Sequence, residues 1–538
     1  MNEARILNIT VEELLAALPR IRSKFPAEDA DGLIIESAIH VLIELQAQLL
    51  QNNVSITKLK ALLFGPKTEQ MKRVGPPAAP RTTATVALPK RKRRGHGRLS
   101  AQDYPGARRV EVRHPNLRPG CQCPSCLAGT LYAFLPSSPV LNFVGSSPVT
   151  ATLYLLEQLR CGTCLKVFTA PVPPQAGLEK YDPSVAVILA WLRYRGGMPN
   201  TRIAQMQASV GVPLPEGTQW QIQQPLYALV ALIVVDLTFV AANAEVVYND
   251  DTEGKILDLR KAGSLSAAQI EPGRKGTFTT AIVAEHGEHR IALFFTGWRH
   301  AGENLAEVLR HRDPQLPPPI QMCDALSRNV SDKVKTKGAN CLVHGRREVV
   351  PLVNHFPEEC GQVLEAIAKI YKADDEAEQL KLDDAARLAY HQKHSEPVMT
   401  ALKVYLDDQI EQKKVEPNST LGKAFNYLRK HWEKLTLFLH EPGAPLDNNI
   451  CEQAIKRAIL HRKNSLFYKT IHGAEVGDGF MSVIHTCDLN GINPFDYLLA
   501  LATHPEAVKA DPKDWLPWNY PRQEPALDIR RKPPRKPG

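Results

Sequence analysis

The sequence predicts a multidomain α+β protein, and three observations support that fold class. The chain has 538 residues, which is too long for one ordinary hydrophobic core. Its middle part alternates β-branched apolar runs with helical patterns, which indicates an α/β domain. Its first third contains an apolar helical seam, a basic low-complexity stretch and paired cysteines, which are typical of small separate modules.

The composition and the apolar runs predict a cytoplasmic protein without a membrane span. The N-terminal sequence MNEARILNITVEELL contains acidic residues and no apolar signal core. The most apolar stretch, residues 226–241, is interrupted by Asp236 and is short for a membrane span. We therefore expect a buried helix there that leads into a strand. The net charge of +9 matters only through its placement along the chain.

Residues 1–65 are predicted to form a helical, coiled-coil region. From Leu42 to Leu63, apolar residues recur at alternating spacings of three and four, with Asn52 at the one polar seam position. Such a seam pairs helices of two chains, and its polar residue can fix register and partner number. We therefore expect a homo-oligomer. The alternative is an amphipathic helix that packs on its own domain.

Residues 66–118 are predicted to be a flexible basic linker. Pro, Ala and Thr dominate near 76–89, and KRKRRGHGR follows, so no packed core is expected. Such an arm would neutralise DNA phosphates without reading the base sequence. The alternative is a solvated linker without a ligand. The predicted phosphate contacts are Lys90, Arg91, Lys92, Arg93 and Arg94.

Residues 119–175 are predicted to form a small zinc-ribbon-like module. Two CxxC pairs, Cys123 with Cys126 and Cys161 with Cys164, can each hold one side of a tetrahedral Zn²⁺ ion. Four thiolates leave no open coordination position, so the zinc would be structural. The alternative is a set of buried free thiols. Cys121 is a spare cysteine that can replace one of the ligands.

Residues 176–242 are predicted to be helical and contain the pattern of a helix–turn–helix. Gly211 is the predicted turn residue, and the second helix is predicted to begin near Glu216 to Thr218. Two interpretations stay open, which are DNA recognition by this pair of helices and plain helical packing.

Residues 243–480 have the element order of a ribonuclease-H-like α/β domain. Three strands, a helix, a strand, a helix and a strand follow one another. The predicted strands lie near residues 245–248, 277–284, 290–296, 318–324 and 339–344. This fold prediction rests on element order and is an analogy.

Two further segments complete the predicted organisation. Residues from about 355 to 437 are strongly helical and polar, which predicts a helical insertion in this α/β domain. Residues 481–538 are predicted to be a helical segment followed by a basic tail.

Three acidic residues are candidates for a metal site in this domain. Asp250 and Asp324 end apolar runs, and Glu452 lies in a basic helical sequence. Two aspartates and a glutamate that meet can hold two Mg²⁺ ions, which clamp the attacking and leaving oxygens of a phosphodiester. Lys456 and Lys463 share a helix face with Glu452 and would hold DNA phosphates. Taken singly, such an aspartate is usually a turn or cap residue, and a Glu–Lys pair is usually a surface pair.

Longer motifs resemble the transposases of the insertion-sequence-66 family. The run LDNNICEQAIKRAILHRKNSLF, followed by HGAEV and HTCDLNGINPFDYL, resembles that family's C-terminal signature. YNDDTEG resembles its first-aspartate motif, CDALSRN its second-aspartate motif, and CLVHGRREV the segment that follows. The apolar seam and the two CxxC pairs resemble its N-terminal modules. The resemblance covers nearly the whole chain, in the right order.

The resemblance implies a DDE transposase that cleaves and joins DNA strands at the ends of an insertion sequence. Asp250, Asp324 and Glu452 would be the catalytic residues and the ligands of Mg²⁺ or Mn²⁺, and Arg462 and Lys463 would belong to the basic motif. The implied partners are terminal-repeat and target DNA, further copies of the chain, and accessory proteins encoded by the same element.

The sequence departs from the family pattern at three places. Asp251 replaces the usual glutamate, so either Asp250 or Asp251 would be the first metal ligand. Ala325 and Leu326 replace a Gly-Tyr pair, and Gln453 stands where arginine is frequent. Two other functions therefore stay open, which are a catalytically inactive, zinc-containing DNA-binding regulator derived from a transposase and a ribonuclease-H-like nuclease.

The paired cysteines predict that the purified protein contains about one zinc ion per chain. Replacing Cys161 and Cys164 together by serine removes half of the ligands, so the zinc content should fall to background in elemental analysis. A natively folded protein without zinc would contradict the prediction.

Overall fold

A computed structural model describes residues 114–132, 147–160, 164, 167–176, 179–260, 274 and 276–520. The predicted coiled coil, the cluster Lys90 to Arg94, Cys161 and the C-terminal tail lie outside the described residues. The described residues belong to two units. We call Leu342–Gly443 the insert unit and the described residues before and after it the sheet unit.

A five-stranded mixed sheet forms the centre of the sheet unit. A short hairpin of β1 (Gln158–Arg160) and β2 (Val167–Thr169) precedes this sheet in the sequence. The strands of the sheet are β3 (Val246–Glu253), β4 (Phe278–His286), β5 (His289–Gly297), β6 (Ile320–Cys323) and β7 (Lys337–Asn340). In space the order is β5-β4-β3-β6-β7. β3, β4 and β5 form an antiparallel meander, whereas β6 and β7 run parallel to β3. Apolar residues such as Val247, Ile282 and Leu293 are fully buried in this sheet, as expected for β-branched and aliphatic runs.

The five strands occur in the predicted order, but the connection and the end of the last strand differ from the prediction. ANCLVH is not one strand, because β7 ends at Asn340 and helix α5 (Leu342–Val349) begins soon after. The partner strand β6 ends at Cys323, which pairs with Asn340, so later residues have no strand to pair with. The helix predicted between β6 and β7 is only a 3₁₀ turn, Ser327–Asn329.

Helices surround the sheet in the sheet unit. They are α1 (Pro183–Ala190), α2 (Asn200–Ser209), α3 (Glu216–Ala242), α4 (Ala301–Leu309), α11 (Asn449–Ser465), α12 (Ile471–Leu489), α13 (Pro494–Thr503) and α14 (Pro505–Ala510). Helices α2 and α3 are joined by a turn in which Gly211 has a φ of 80°, a conformation that glycine adopts without a steric penalty. The second helix begins at Glu216, within the predicted range.

Helix α3 is the one helix in the described part of the chain that is long and apolar enough to cross a membrane by length and composition. Nine of its 27 residues are buried, among them Leu229, Ile233 and Leu237. It packs against β4, β5 and α12 and leads into β3. The helix leads into a strand as predicted, but it is buried on one face only, since Val235 and Phe239 are exposed.

The insert unit is helical in its described elements. After α5 come α6 (Pro357–Gln379), α7 (Asp384–His394), α8 (Glu396–Glu411), α9 (Thr420–Lys430) and the short α10 (Trp432–Leu435). Asp374 of α6 accepts hydrogen bonds from Arg387 and His391 of α7. Burial opposes ionisation of Asp374, but these partners outweigh it and lower its pKa. The unit extends beyond residues 355–437, the region in which the sequence predicted the insertion.

A ladder of side chains on α12 and its C-cap residue Asn490 covers the outer edge of β5. Polar side chains at every fourth position of the helix accept hydrogen bonds from backbone N–H groups at every second position of the strand. The pairs are Asn490 with Arg290, Thr486 with Ala292, Ser482 with Phe294, and Asp478 with Thr296. The repeat along the helix matches the repeat along the strand in length, because four helical residues rise about 6 Å and two strand residues rise about 6.7 Å.

The ladder predicts a pH dependence of stability that comes from Asp478. Burial raises the pKa of its carboxyl to about 7, although Thr296 donates hydrogen bonds to it from its side chain and its backbone. Between pH 4 and 7 the unfolded chain therefore releases this proton while the folded protein keeps it, so stability falls as pH rises. Asp478→Asn removes this pH-dependent part of the free energy of unfolding, about 1–4 kcal/mol. The side-chain oxygen of asparagine still accepts a hydrogen bond from the Thr296 N–H group.

We expect the Tm of Asp478→Asn to rise relative to that of the wild-type protein between pH 5 and pH 8 in metal-free thermal unfolding. Other titrating groups are common to both proteins and cancel in this comparison. An equal Tm difference at both pH values would contradict the assignment.

Candidate active site

The parallel pairing of β3 with β6 places two aspartates side by side. Tyr248 pairs with Met322 in this register. Asp250 follows Tyr248 by two residues, and Asp324 follows Met322 by two residues. The two aspartates therefore lie level with each other at the carboxyl end of β6. The backbone N–H of Leu326 and the side-chain amide of Asn329 both donate to Asp324 Oδ1. The 3₁₀ turn after β6 thus holds the second carboxylate in place.

The third carboxylate comes from helix α11, which packs against β3 and β4. Glu452 lies in the first turn of this helix. Its neighbour Cys451 is fully buried and its thiol donates to the carbonyl oxygen of Ala281 at 3.3 Å. Ala281 pairs directly with Asp250 between β4 and β3. This contact fixes the start of α11 beside the strand position of Asp250.

The electrostatics of Asp250 show that the three carboxylates share one environment. Burial, and after it the negative charges of Asp324, Asp251 and Glu452, raise the pKa of Asp250 to about 7, against a hydrogen bond from the N–H of Asp251. A carboxyl group in this position is neutral over part of the physiological range unless a cation compensates its charge. The site therefore favours a bound cation.

Asp251 lies on the other face of β3, because successive side chains of a strand point to opposite faces. Its side chain is completely buried. His300, the N-cap residue of α4, places Nδ1 3.0 Å from Asp251 Oδ2, and Arg328 places a guanidinium nitrogen 3.0 Å from Oδ1. Asp251 is thus engaged by Arg328 and His300, whereas Asp250 faces the other carboxylates.

Four buried amide side chains connect the elements that carry the carboxylates. They are Asn249, Gln321, Asn329 and Asn448. The carbonyl oxygen of Asn329 accepts from Asn249 at 2.7 Å and from Gln321 at 2.8 Å. Asn448, at the N-terminus of α11, donates to the backbone carbonyl of Asn249 at 3.3 Å. One hydrogen-bonded network therefore joins β3, β6, the 3₁₀ turn and α11.

The predicted basic residues of α11 have different environments. Lys456 and Lys463 are exposed. Arg462 is half-buried and donates to the hydroxyl of Thr252 and to the backbone carbonyl of Glu253. The guanidinium of Arg462 therefore stabilises the end of β3 through hydrogen bonds, whereas the side chains of Lys456 and Lys463 are exposed to solvent.

Comparison with known proteins identifies the family. The family model described as "Transposase IS66 family" matches residues 180–476, which is more than half of the chain. The chain belongs to the IS66 transposase family. The matched range includes Asp250, Asp324 and Glu452 and spans residues of both units.

Three relatives from Sinorhizobium fredii (strain NBRC 101917 / NGR234) are similar to this IS66 family member. The uncharacterized protein y4jD is 23% identical over 431 residues, which is 75% of this chain and 79% of that protein. The uncharacterized protein y4qI is 26% identical over 185 residues, 34% of each chain. The uncharacterized protein y4hP is 31% identical over 140 residues, 25% of this chain and 24% of that protein.

Membership of the IS66 family implies the use of a divalent metal ion, and the residues at this site fit one. Carboxylate oxygens are the ligands that Mg²⁺ and Mn²⁺ prefer. The raised pKa of Asp250 provides an independent argument, since a cation would offset the repulsion among the three carboxylates. Asp250, Asp324 and Glu452 are therefore the side chains that would hold the ion.

Sequence reasoning missed the buried amides and the anchoring thiol. Asn249, Asn329 and Cys451 are each within a few residues of a predicted carboxylate, but a polar residue beside an aspartate is common in turns. The signal that distinguishes them is burial, which appears only once the strands are paired. The pairing also separates Asp250 from Asp251, which the sequence left as alternatives.

The opposite orientations of Asp250 and Asp251 predict opposite effects of two neighbouring substitutions. Asp250→Asn should weaken Mn²⁺ binding by more than about tenfold. At pH 8 and without metal, this variant should be as stable as the wild-type protein or more stable, since the substitution removes a buried charge. Asp251→Asn should retain Mn²⁺ affinity and destabilise the protein by about 1–3 kcal/mol, because Arg328 and His300 lose their buried partner.

Isothermal titration with Mn²⁺ and thermal unfolding of both variants make this comparison. Each variant serves as the control for the other, because both replace one carboxylate by an amide on the same strand. Equal losses of Mn²⁺ affinity would contradict the assignment of Asp250 as the residue that faces the metal.

Proposed function

We propose that this protein is a DDE transposase that cleaves DNA at the ends of an insertion sequence and joins those ends to target DNA. The observation that carries the proposal is the convergence of Asp250, Asp324 and Glu452 at one end of the central sheet, in a chain of the IS66 family. The sheet order β5-β4-β3-β6-β7 supports a ribonuclease-H-like catalytic domain, with three antiparallel strands followed by two parallel ones.

The three carboxylates would hold two Mg²⁺ or Mn²⁺ ions. When bound, such ions lower the pKa of water and stabilise the charge that develops on the attacking and leaving oxygens of a phosphodiester. Asp250 and Asp324 are fixed by strand pairing, and Glu452 by the buried start of α11. The contribution of the chain is therefore positioning and a negative electrostatic environment.

The reaction has two chemical steps that need the same arrangement. In the first, water attacks a phosphodiester, the P–O3′ bond breaks, and the 3′-oxygen leaves as a hydroxyl. In the second, that 3′-hydroxyl attacks a phosphodiester of target DNA, a new P–O bond forms, and the target's own 3′-oxygen leaves. No bond between protein and DNA forms in either step, so no nucleophilic side chain is needed.

Several other parts of the chain would grip DNA around this site. Lys456 and Lys463 are exposed on the helix that carries Glu452, and they would contact phosphates near the cleaved bond. Helices α2 and α3 and the basic linker would add contacts to the terminal repeats. The predicted coiled coil would bring copies of the chain together so that both ends of the element are held at once.

The first CxxC pair supports a structural zinc site. The pKa of the Cys126 thiol is lowered, first by the backbone N–H groups of Ala128 and Gly129 and then by the thiol of Cys123. Donors of this kind favour the thiolate that zinc requires. Cys164 lies in the connection between β1 and β2, and its predicted partner Cys161 lies outside the described residues.

The decisive experiment compares the wild-type protein with Glu452→Gln on labelled DNA that carries the ends of its own element, with Mg²⁺. We expect nicks at the element ends with the wild-type protein and at least about a hundredfold less product with the variant. The loss follows because an amide is a weaker ligand for Mg²⁺ than a carboxylate. Glu475→Gln is the control, since it neutralises an exposed glutamate on α12 and should cut normally.

Pre-cut ends and a plasmid target then separate joining from hydrolysis. Nicking without joined product would favour a nuclease over a transposase. DNA binding without nicking in the wild-type protein, with the accessory proteins of the element present, would favour an inactive regulator and contradict the proposal.

A further inference from the structure

The residue that ends α11 has an unfavourable backbone conformation. Leu466 has φ 67° and ψ −40°, and the N–H of Phe467 donates to the carbonyl oxygen of Ser465 at 2.8 Å. These values describe a γ-turn of the rare kind with positive φ, which is strained for a residue that has a Cβ atom. Glycine would adopt it without strain, so local backbone energetics do not account for leucine here.

Packing does not account for this leucine either. The side chain of Leu466 is 64% exposed and that of Phe467 is 37% exposed. Both line a small cavity at the end of β3, together with Lys255 and Arg462. A strained, exposed apolar residue is a candidate for function, since neither folding nor solubility favours it.

Lysines surround this apolar pair. Lys255, Lys463 and Lys469 are all exposed, and the ammonium group of Lys255 lies 6.0 Å from the centre of the Phe467 ring. The chain just after the pair is held against the segment of Lys255, because Tyr468 donates its N–H to the carbonyl of Lys255 and Leu257 donates its N–H to the carbonyl of Tyr468. The surface therefore combines positive charge with exposed apolar side chains on a rigid support.

The apolar pair lies at the far end of a stripe that begins at Glu452. Lys456, Leu460 and Lys463 follow Glu452 at four, eight and eleven residues, which places them along one side of α11, and all three are exposed. Leu466 is fourteen residues from Glu452, which corresponds to about 21 Å along the helix axis. DNA that lies along this stripe advances about six base pairs over that distance.

We propose that Leu466 and Phe467 contact an unpaired nucleobase of the bound DNA, about six base pairs from the cleaved phosphodiester. The flat faces of bases are apolar and the backbone is anionic, which matches apolar side chains among lysines. In a paired duplex these faces are stacked and hidden, so the contact requires a base that has left the stack. The inference rests on the proposed function, since it takes DNA as the ligand.

The test measures binding of the full-length protein to two DNA probes in EDTA, so that no cleavage occurs. One probe is a fully paired duplex, and the other is the same duplex with one unpaired 2-aminopurine. We expect the wild-type protein to bind the second probe about tenfold more tightly and to change the 2-aminopurine fluorescence. Leu466→Gly should lose this preference while its Tm stays the same or rises, because glycine relieves the strained turn.

Three further variants make the result specific. Phe467→Ala should also lose the preference, whereas Lys463→Ala should weaken binding to both probes equally, because it removes only a phosphate contact. Lys413→Gly is the matched control. Lys413 is exposed and has a φ of 56°, so glycine there also relieves a positive φ and should leave the preference unchanged.

Two outcomes would overturn the inference while leaving the proposed function intact. They are equal binding of both probes by the wild-type protein, and a preserved preference in Leu466→Gly. If the wild-type protein prefers the probe with the unpaired base but shows no Mg²⁺-dependent cleavage, the base contact is supported and the catalytic proposal is contradicted. Failure to bind either probe would overturn both.

Discussion

The parallel pairing of β3 with β6 is the constraint on which the candidate active site depends. Three residue pairs set the register, and that register places Asp250 level with Asp324. A shift of one residue would bring Asp324 level with Asn249 or Asp251, whose side chains point to the opposite face of the sheet. Glu452 depends on the same strand, because α11 is anchored on the β4 residue that pairs with Asp250.

The buried amides explain how so short a pairing keeps its register. Asn249, Gln321 and Asn329 are removed from water, and an amide without partners in such a place costs about 1–3 kcal/mol. In the observed register the carbonyl oxygen of Asn329 accepts from both of the other side chains. A shifted register would break these hydrogen bonds as well as separate the carboxylates. Polar groups in the core thus hold the carboxylates together against the burial and the repulsion that raise the pKa of Asp250.

The parts of the fold that follow from local pattern were predictable, and the parts that follow from pairing were not. Apolar runs located the first four strands of the sheet, and spacing placed Lys456 and Lys463 on one side of the helix that carries Glu452. The different environments of Asp250 and Asp251 became clear only when the alternation of β3 was combined with the positions of its neighbouring strands. The early end of β7 depends on where β6 stops, and the positive φ of Leu466 has no counterpart in composition. Each of these depends on a partner distant in the sequence.

The ladder between α12 and β5 has a consequence for how copies of this protein can associate. A free edge strand is a template for β-augmentation, in which another chain adds a strand through backbone hydrogen bonds. Here the outward N–H groups of Arg290, Ala292, Phe294 and Thr296 are already used within the chain. Molecules crowded together along one DNA segment therefore cannot fuse their sheets through this edge. At this edge, contacts with another copy can form only through side chains.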